Sequence, residues 1–441
     1  MKKTVLVLLV CVFMFSLAIT ASAKVKVVYW TYPSITVEGL QPGEYEQNMI
    51  DQFEKLYPEV EVELEIFPYD GGITKVDLSI MSGDPPDILV DNVFRVGKYA
   101  DAGLLVPFDL TEEEKNDFYP FAIEASTFNG EMSVWPAVVY TQGIIVSKKI
   151  AREAEALDLL PLDRPDRNWT ADEFKAFLQK VAAANLPEVR GTVMHFADAN
   201  GQQNFIMLMI QGFGAVPFVY EDGKYRCTMN SPEAVEGLEY YLDIYNNSPG
   251  CFHEGAENLT CFDTGRLVSS GKIAVGHGGV ATILQGLEGT NQIYIDADAS
   301  VFPVPSKEGI SNSALLSFEA YGVFDNGDAE KAKYAQMFVR YFCENAPDIL
   351  TIRANGSPVR KSTPIAEAYK KYADNPDVIF YLTQLANYGK DYGTMCPVYQ
   401  QYKEIWRIAM QGVFTGMITP KEGLNEITRK VNKLLDELYE K

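Results

Sequence analysis

From Lys24 onward the chain alternates two kinds of hydrophobic spacing. Val25, Val27, Val28 and Tyr29 make a short apolar run ending at Trp30, which suits a buried strand. Tyr45, Met49, Phe53 and Leu56 then recur at helical spacing, with Glu46, Gln47, Asp51 and Glu54 between them, and Pro58 stops the pattern. Next, Val60, Val62, Leu64 and Ile66 alternate strictly with Glu59, Glu61, Glu63 and Glu65, predicting a strand with one wet face. Asp87-Ile88-Leu89-Val90 leaves the Gly83-Asp84-Pro85-Pro86 turn as another buried strand. Strand, helix, strand, helix, strand is the pattern of an α/β layer fold.

Further along, Thr-x-x-Glu capping boxes mark three helix starts: Thr111 to Glu114, Thr170 to Glu173 and Thr419 to Glu422. Pro420 takes the first helical position of the last one, and Ser231-Pro232 opens another helix in the same way. Leu424, Ile427, Val431, Leu434 and Leu435 give the final helix one apolar face. No repeat and no long linker interrupts the 441 residues, a length that suggests two or three domains. Two lobes would therefore be joined by strands passing between them.

The first segment points to export. Met1-Lys2-Lys3, an apolar run from Val5 to Ile19 and then Ala21-Ser22-Ala23 form the charged, apolar and small-residue parts of a signal peptide. The run falls short of the roughly 20 residues a membrane span needs. Residues 1–23 are thus read as a signal peptide cleaved after about Ala23. The product is expected in the periplasm or at the extracellular face of the cytoplasmic membrane. In that compartment Cys251 and Cys261 are close enough in sequence to close a short disulfide loop, while Cys227, Cys343 and Cys396 read as buried thiols.

Composition narrows the function. A 47% apolar content excludes a disordered chain, and 38 Lys plus Arg against 60 Asp plus Glu exclude a basic nucleic-acid surface. Three His, none paired on one helix, make a His-built metal site unexpected, and no cofactor is expected. Catalytic motifs fail when checked. There is no Gly-x-Ser-x-Gly, His253-Glu254 lacks a second His at zinc-protease spacing, and Gly212-Phe213-Gly214 lacks the third Gly of a dinucleotide loop. A glycosidase carboxylate pair is defined in space and stays open at this level.

Several blocks, in order, resemble the extracellular solute-binding proteins of bacterial ABC importers, in the sugar-binding, maltose-binding-protein-like branch. They include Val27-Val28-Tyr29-Trp30, Phe53-Glu54-Lys55-Leu56-Tyr57-Pro58, Ser82-Gly83-Asp84-Pro85-Pro86-Asp87-Ile88 and Ala102-Gly103-Leu104-Leu105-Val106-Pro107-Phe108-Asp109. Later come Trp169-Thr170-Ala171-Asp172-Glu173-Phe174, Asn230-Ser231-Pro232-Glu233-Ala234-Val235, Ser270-Gly271-Lys272-Ile273-Ala274-Val275 and Pro358-Val359-Arg360-Lys361-Ser362. The resemblance implies a non-enzymatic, monomeric protein with an α/β, two-lobed periplasmic-binding-protein fold and a cleft between the lobes. Its lobes would be residues 24–138 with 319–382 and residues 142–314 with 388–441. The chain would cross near Pro136–Gly143, Ser313–Tyr321 and Tyr381–Gly389. A solute, first of all a mono- or oligosaccharide, would be handed to ABC permease subunits.

Sugars need aromatic faces and planar polar groups. Trp30 and Tyr32 at the end of the first strand, and Asp91 and Asn92 at the end of another, stand where open α/β sheets hold ligands. Placing the blocks on the family plan adds Trp135, Tyr140 and Gln142 at the first crossing and His277 in a cleft loop. It also adds Glu319 and Tyr321 at the second crossing, with Arg360 and Tyr399. Trp30 and Trp135 also fit core positions, and Arg360 also fits an ion pair bracing a lobe. Trp169 and Trp406 are assigned to the core. Relatives follow the loop's Gly-Gly with a Trp two positions on, where this chain has Ala281, so one stacking wall is missing. A polyol, a phosphodiester or a polyamine is the alternative solute. An exported polysaccharide-acting enzyme and a surface adhesin or chemoreceptor-docking protein are the competing classes.

Overall fold

The computed structural model describes residues 24–35, 37, 39–197, 205–260, 263, 266–267, 270–278, 299–310, 314–346, 357–363, 375–377, 380, 389–390 and 396–440. Its strands are β1 (Val25–Thr31), β2 (Val60–Ile66), β3 (Ile88–Asn92), β4 (Thr127–Phe128), β5 (Glu131–Met132), β6 (Val134–Ser147), β7 (Phe218–Glu221), β8 (Lys224–Cys227), β9 (Val275–Gly278), β10 (Ala299–Phe302), β11 (Ala314–Val323) and β12 (Gly389–Lys390). The helices are α1 (Glu44–Leu56), α2 (Tyr69–Met81), α3 (Val93–Asp101), α4 (Glu112–Asp117), α5 (Pro120–Ser126), α6 (Lys148–Glu153), α7 (Ala171–Ala183), α8 (Phe205–Gln211), α9 (Pro232–Asn247), α10 (Ala329–Asn345), α11 (Tyr399–Phe414) and α12 (Pro420–Tyr439).

The opening β–α–β pattern forms as its spacing predicts. β1 pairs in parallel with β2 along its whole length, from Val25 opposite Val60 to Thr31 opposite Ile66, and with β3 on its other side. Parallel neighbours require a crossover, and α1 supplies it by burying Met49, Ile50 and Phe53. Leu56 departs from the predicted stripe: it lies in the last turn and is 62% exposed, while Ile50 takes the buried place. Along β2, Val60 and Val62 are buried while Glu61 and Glu63 face solvent. Lys26 and Lys75 pair with Glu63 and Glu65 on that wet side.

All three capping boxes close reciprocally, at Thr111–Glu114, Thr170–Glu173 and Thr419–Glu422. In each, the Thr hydroxyl accepts from the Glu backbone N–H and the Glu carboxylate accepts from the Thr backbone N–H, satisfying two donors at a helix start that would otherwise lack partners. In α12, Leu424, Ile427, Val431 and Leu435 are buried as predicted.

Two separate hydrophobic cores result. The first gathers β1, β2, β3, the start of β6 and β11 against α1, α3 and α10, with Tyr29, Phe53, Trp135, Tyr321 and Phe338 at its centre. The second gathers the end of β6 with α7, α8, α9, α11 and α12 around Trp169, Phe174, Tyr241 and Trp406. One sheet runs through both in the order β10-β6-β11-β3-β1-β2, with β12 beside β11 and β9 beside β6.

The long strand β6 carries the chain from one core to the other. Its first part, with Trp135, Val138 and Val139 in the first core, pairs antiparallel with β11. From Gly143 it pairs instead with β9 and β10, and Ile144 and Val146 enter the second core. β12 lies parallel to the start of β11, with Gly389 opposite Ala314. Strands β6, β11 and β12 therefore stand side by side where the two cores meet.

Cys251 is a buried free thiol, its pKa pushed up to about 11 by desolvation. The Cys251–Cys261 loop that the sequence leaves open falls on Cys261, which lies outside the described residues. Cys227 is likewise a buried thiol pushed up to about 11.

Candidate functional site

The end of β1 turns sharply: the Ser34 backbone N–H donates to the Tyr32 carbonyl at 2.7 Å. This turn brings Tyr32 and Ser34 beside the end of β3, where Asp91 and Asn92 lead into α3. On the far side of β3 lies β11, with Glu319 opposite Asn92 and Ala320 opposite Asp91. The pairing of β11 with β6 shifts register between Glu319 and Ala320. Such an irregularity re-aims a side chain locally, here the carboxylate of Glu319.

These residues enclose a cavity of about 170 Å³ lined by Tyr32, Ser34, Asp91, Asn92, Arg95, Tyr140 and Glu319. Glu319 is only 7% exposed and is held at both oxygens. Ser34 Oγ donates to Oε1 at 3.0 Å, and the Tyr140 hydroxyl donates to Oε2 at 2.9 Å. Asp91 is 5% exposed and accepts from Arg95 Nε at 2.7 Å, with Arg95 Nη2 reaching the same oxygen. The Asn92 backbone N–H also donates to Asp91, at 2.6 Å. Arg95 sits one helical turn beyond Asp91, which lets the two pair on one face.

An aromatic wall adjoins the polar groups. Tyr32 meets Phe67 edge-on at 4.6 Å between ring centroids, and Trp30 meets Phe67 at 5.8 Å. Lys75 Nζ lies 4.2 Å from the centroid of the Trp30 ring. Gly72 in α2 makes room for this wall, since a Cβ there would come within 2.7 Å of both Tyr32 and Phe67. A larger concavity of about 420 Å³ lies elsewhere, around the turn from α11 to α12, and holds none of the expected binding residues.

Five expected contacts thus converge on one cavity: Tyr32, Asp91, Asn92, Tyr140 and Glu319. Trp30 flanks them through Phe67. The backbones of Gln142 and His277 stand where β6 changes partners, opposite Leu315 and Ile144 respectively, and their side chains lie outside the described residues.

Four expected contacts go elsewhere. Trp135 is fully buried among Phe108, Phe118 and the Arg340 guanidinium, because its strand turns that face into the first core. Tyr321 is fully buried between Tyr29 and Phe342; two residues along β11 from Glu319, it falls past the register shift and packs against α10. Arg360 braces the first core, pairing with Asp117 at 2.6 Å and Glu344 at 3.1 Å over the Phe118 ring. Tyr399 is 2% exposed at the start of α11, packed beside Tyr402. Sequence reasoning missed Ser34 and Arg95. Only the i, i+4 spacing of Arg95 from Asp91 at a helix start offered a signal.

Two α/β cores bridged by side-by-side strands, with a polar cavity at the strand ends, define the two-lobed periplasmic-binding-protein class of fold. The chain belongs to the bacterial extracellular solute-binding protein family, whose model matches residues 38–346. The maltotriose-binding protein of Pyrococcus abyssi (strain GE5 / Orsay) is 27% identical over 244 residues, which are 52% of this chain and 47% of that protein. The chain thus spans about half the length of the curated relative it matches.

Solved structures agree in fold over almost the whole chain. The sugar-binding protein MalE of Xanthomonas citri superposes with a TM-score of 0.74 at 14% identity, covering 94% of this chain and 98% of that one. The cyclic alpha-maltosyl-1,6-maltose binding protein of Arthrobacter globiformis gives 0.72 at 18%, covering 94% and 100%. An ABC substrate-binding protein of Listeria monocytogenes in complex with cycloalternan gives 0.67 at 20%, covering 94% and 99%. At such identities the likeness speaks for the fold. The family is one of binding proteins rather than enzymes, and among the described residues no helix is long and apolar enough to cross a membrane.

Proposed function

We propose that the protein captures a carbohydrate between its two lobes and delivers it to an ABC-type permease. The observation that carries this reading is the convergence of Asp91, Asn92, Tyr140, Glu319 and Ser34 on one cavity beside the Tyr32–Phe67–Trp30 wall. Carboxylate and amide oxygens accept from sugar hydroxyls, while aromatic faces cover the C–H surface. Gln142 and His277 are proposed contacts from their position at the partner change in β6. The maltotriose named for the Pyrococcus relative and the cycloalternan held by the Listeria protein support a saccharide. A cationic polyamine is disfavoured, since Arg95 lines the same cavity.

The two cores support lobes of residues 24–138 with 319–382 and of residues 142–314 with 388–441, with Ile145, Val193, Ile273 and Val301 of the second lobe joining the first core where the two meet. A ligand touching both would stabilise the closed form by its higher affinity for it. Residues 1–23 act as the export signal in this reading, and the released protein works as a monomer outside the cytoplasmic membrane.

A thermal-shift screen of protein refolded free of carried solute tests the proposal. At 100 times the dissociation constant, binding to the native state alone adds about 2.7 kcal/mol. A higher melting temperature with one class of saccharide is expected. A shift with polyamines or polyols alone, and none with any saccharide, would overturn the carbohydrate assignment. Hydrolysis of the bound saccharide would instead return the enzyme class.

A further inference from the structure

Arg167, in the loop before α7, has a left-handed backbone with φ 49°, a conformation that suits glycine and is costly for a long side chain. Such a backbone persists where its surroundings over-determine it. Here the side chain, only 9% exposed, is held at several points. Nη1 donates to the Val301 carbonyl at 2.9 Å and to Asp377 Oδ1 at 2.5 Å. The guanidinium carbon lies 4.6 Å from the centroid of the Phe380 ring. Asp377 is 6% exposed and accepts on the same oxygen from the Val301 backbone N–H at 3.1 Å. Its Oδ2 accepts from Ser300 Oγ at 3.4 Å and has Lys148 Nζ at 3.9 Å.

These contacts join parts of the chain that belong to different cores. Phe380, just after Asp377, lies in the first core. Lys148 opens α6, Arg167 comes just before Trp169, and Val301 precedes Phe302; Ile150, Trp169 and Phe302 lie in the second core. Ser300 and Val301 pair with Val146 and Ile145 near the end of β6. Asp377 therefore fastens the chain ahead of β12, the last of the three side-by-side strands, to β10 and the end of β6.

We propose that Asp377 and Arg167 form a pin across the seam between the lobes, restricting how one turns against the other, an inference that rests on the lobe assignment above. Lifting the segment away would leave each buried charge without its partner, so separation there is strongly opposed. A buried ion pair adds little net stability over an apolar pair of the same volume, and its distinctive effect is to fix one geometry. With the seam pinned, the lobes move by bending of the strands and not by sliding past each other. Fewer lobe orientations are then open to the unliganded protein. A solute that bridges both lobes has less conformational entropy to remove, which raises its affinity.

Spin labels on Met81→Cys and Met417→Cys, exposed positions whose helices pack in opposite cores, report the spread of lobe orientations by pulsed electron resonance. The combined variant Arg167→Met with Asp377→Leu removes both charges at similar volume, so it should fold and melt close to the parent. Its label distances should spread more widely than the parent's. Its affinity for maltotriose, by isothermal titration, should fall about threefold or more. Asp377→Asn keeps the shape but leaves the guanidinium without its anion; it should melt below the combined variant and show the same wider spread. Either variant, once folded, decides the question. An unchanged distance spread would overturn the inference, and so would a wider spread with unchanged affinity. If the parent binds neither maltotriose nor any other saccharide, the carbohydrate reading fails, while the label distances still decide whether the pin exists.

Discussion

Glu319 and Trp135 sit in paired strands and show how little of a residue's role lies in its type. Glu319 is turned into the cavity by the register shift in β11, while Trp135 on β6 turns inward to Phe108 and Phe118. Their substitutions should separate cleanly. Glu319→Gln keeps the shape and removes the charge, so saccharide affinity should fall by about tenfold or more with little change in melting temperature. Trp135→Ala should instead lower stability by about 3–5 kcal/mol, measured by urea unfolding, through loss of a buried aromatic. Lys403 on α11 makes a different prediction. It is only 8% exposed, and burial lowers its pKa to about 8 when folded against an ordinary value of 10.5, so between those limits the unfolded chain binds more protons. Stability should therefore rise with pH from about 8 towards 10.5, and this rise should vanish in Lys403→Met.

At the scale of elements, local rules held where local chemistry decides. The β1–α1–β2 unit and the three capping boxes were legible from spacing alone, since periodicity and a Thr-x-x-Glu pair act within a few residues. Thr170→Ala should destabilise the protein by about 1 kcal/mol, read from the urea midpoint, because the start of α7 loses its capping acceptor. The Arg164 pairing, followed by the Thr170 backbone bond, holds the Glu173 carboxyl down at about 2. That contribution is present above the ordinary carboxylate range and is lost as pH falls through about 2. Leu56 shows where local reading stops. Its spacing put it on the buried face, yet burial depends on whether a neighbouring element reaches the last turn, and here it is exposed.

The whole molecule depends on three strands, β6, β11 and β12, that pass side by side where the two cores meet. Bending there would open or close the cleft without disturbing either core. Small-angle scattering should show a smaller radius of gyration when a bound saccharide is added to refolded protein. An unchanged radius with proven binding would mean that the lobes do not move.

The sequence by itself determined the α/β alternation, the helix starts and the membership of a two-lobed binding family, because each rests on short-range periodicity or on ordered local blocks. It also picked out Tyr32, Asp91 and Asn92, which stand at strand ends where ligands collect, and the family plan added Tyr140 and Glu319 inside β6 and β11. Only the tertiary structure separated these from Trp135, Tyr321, Tyr399 and Arg360, since the direction of a side chain from a strand depends on register and on what packs against each face. Ser34 and Arg95 belong to different elements, and folding alone brings a turn after β1 and the first turn of α3 to one cavity, since contacts between elements have no signature in one dimension.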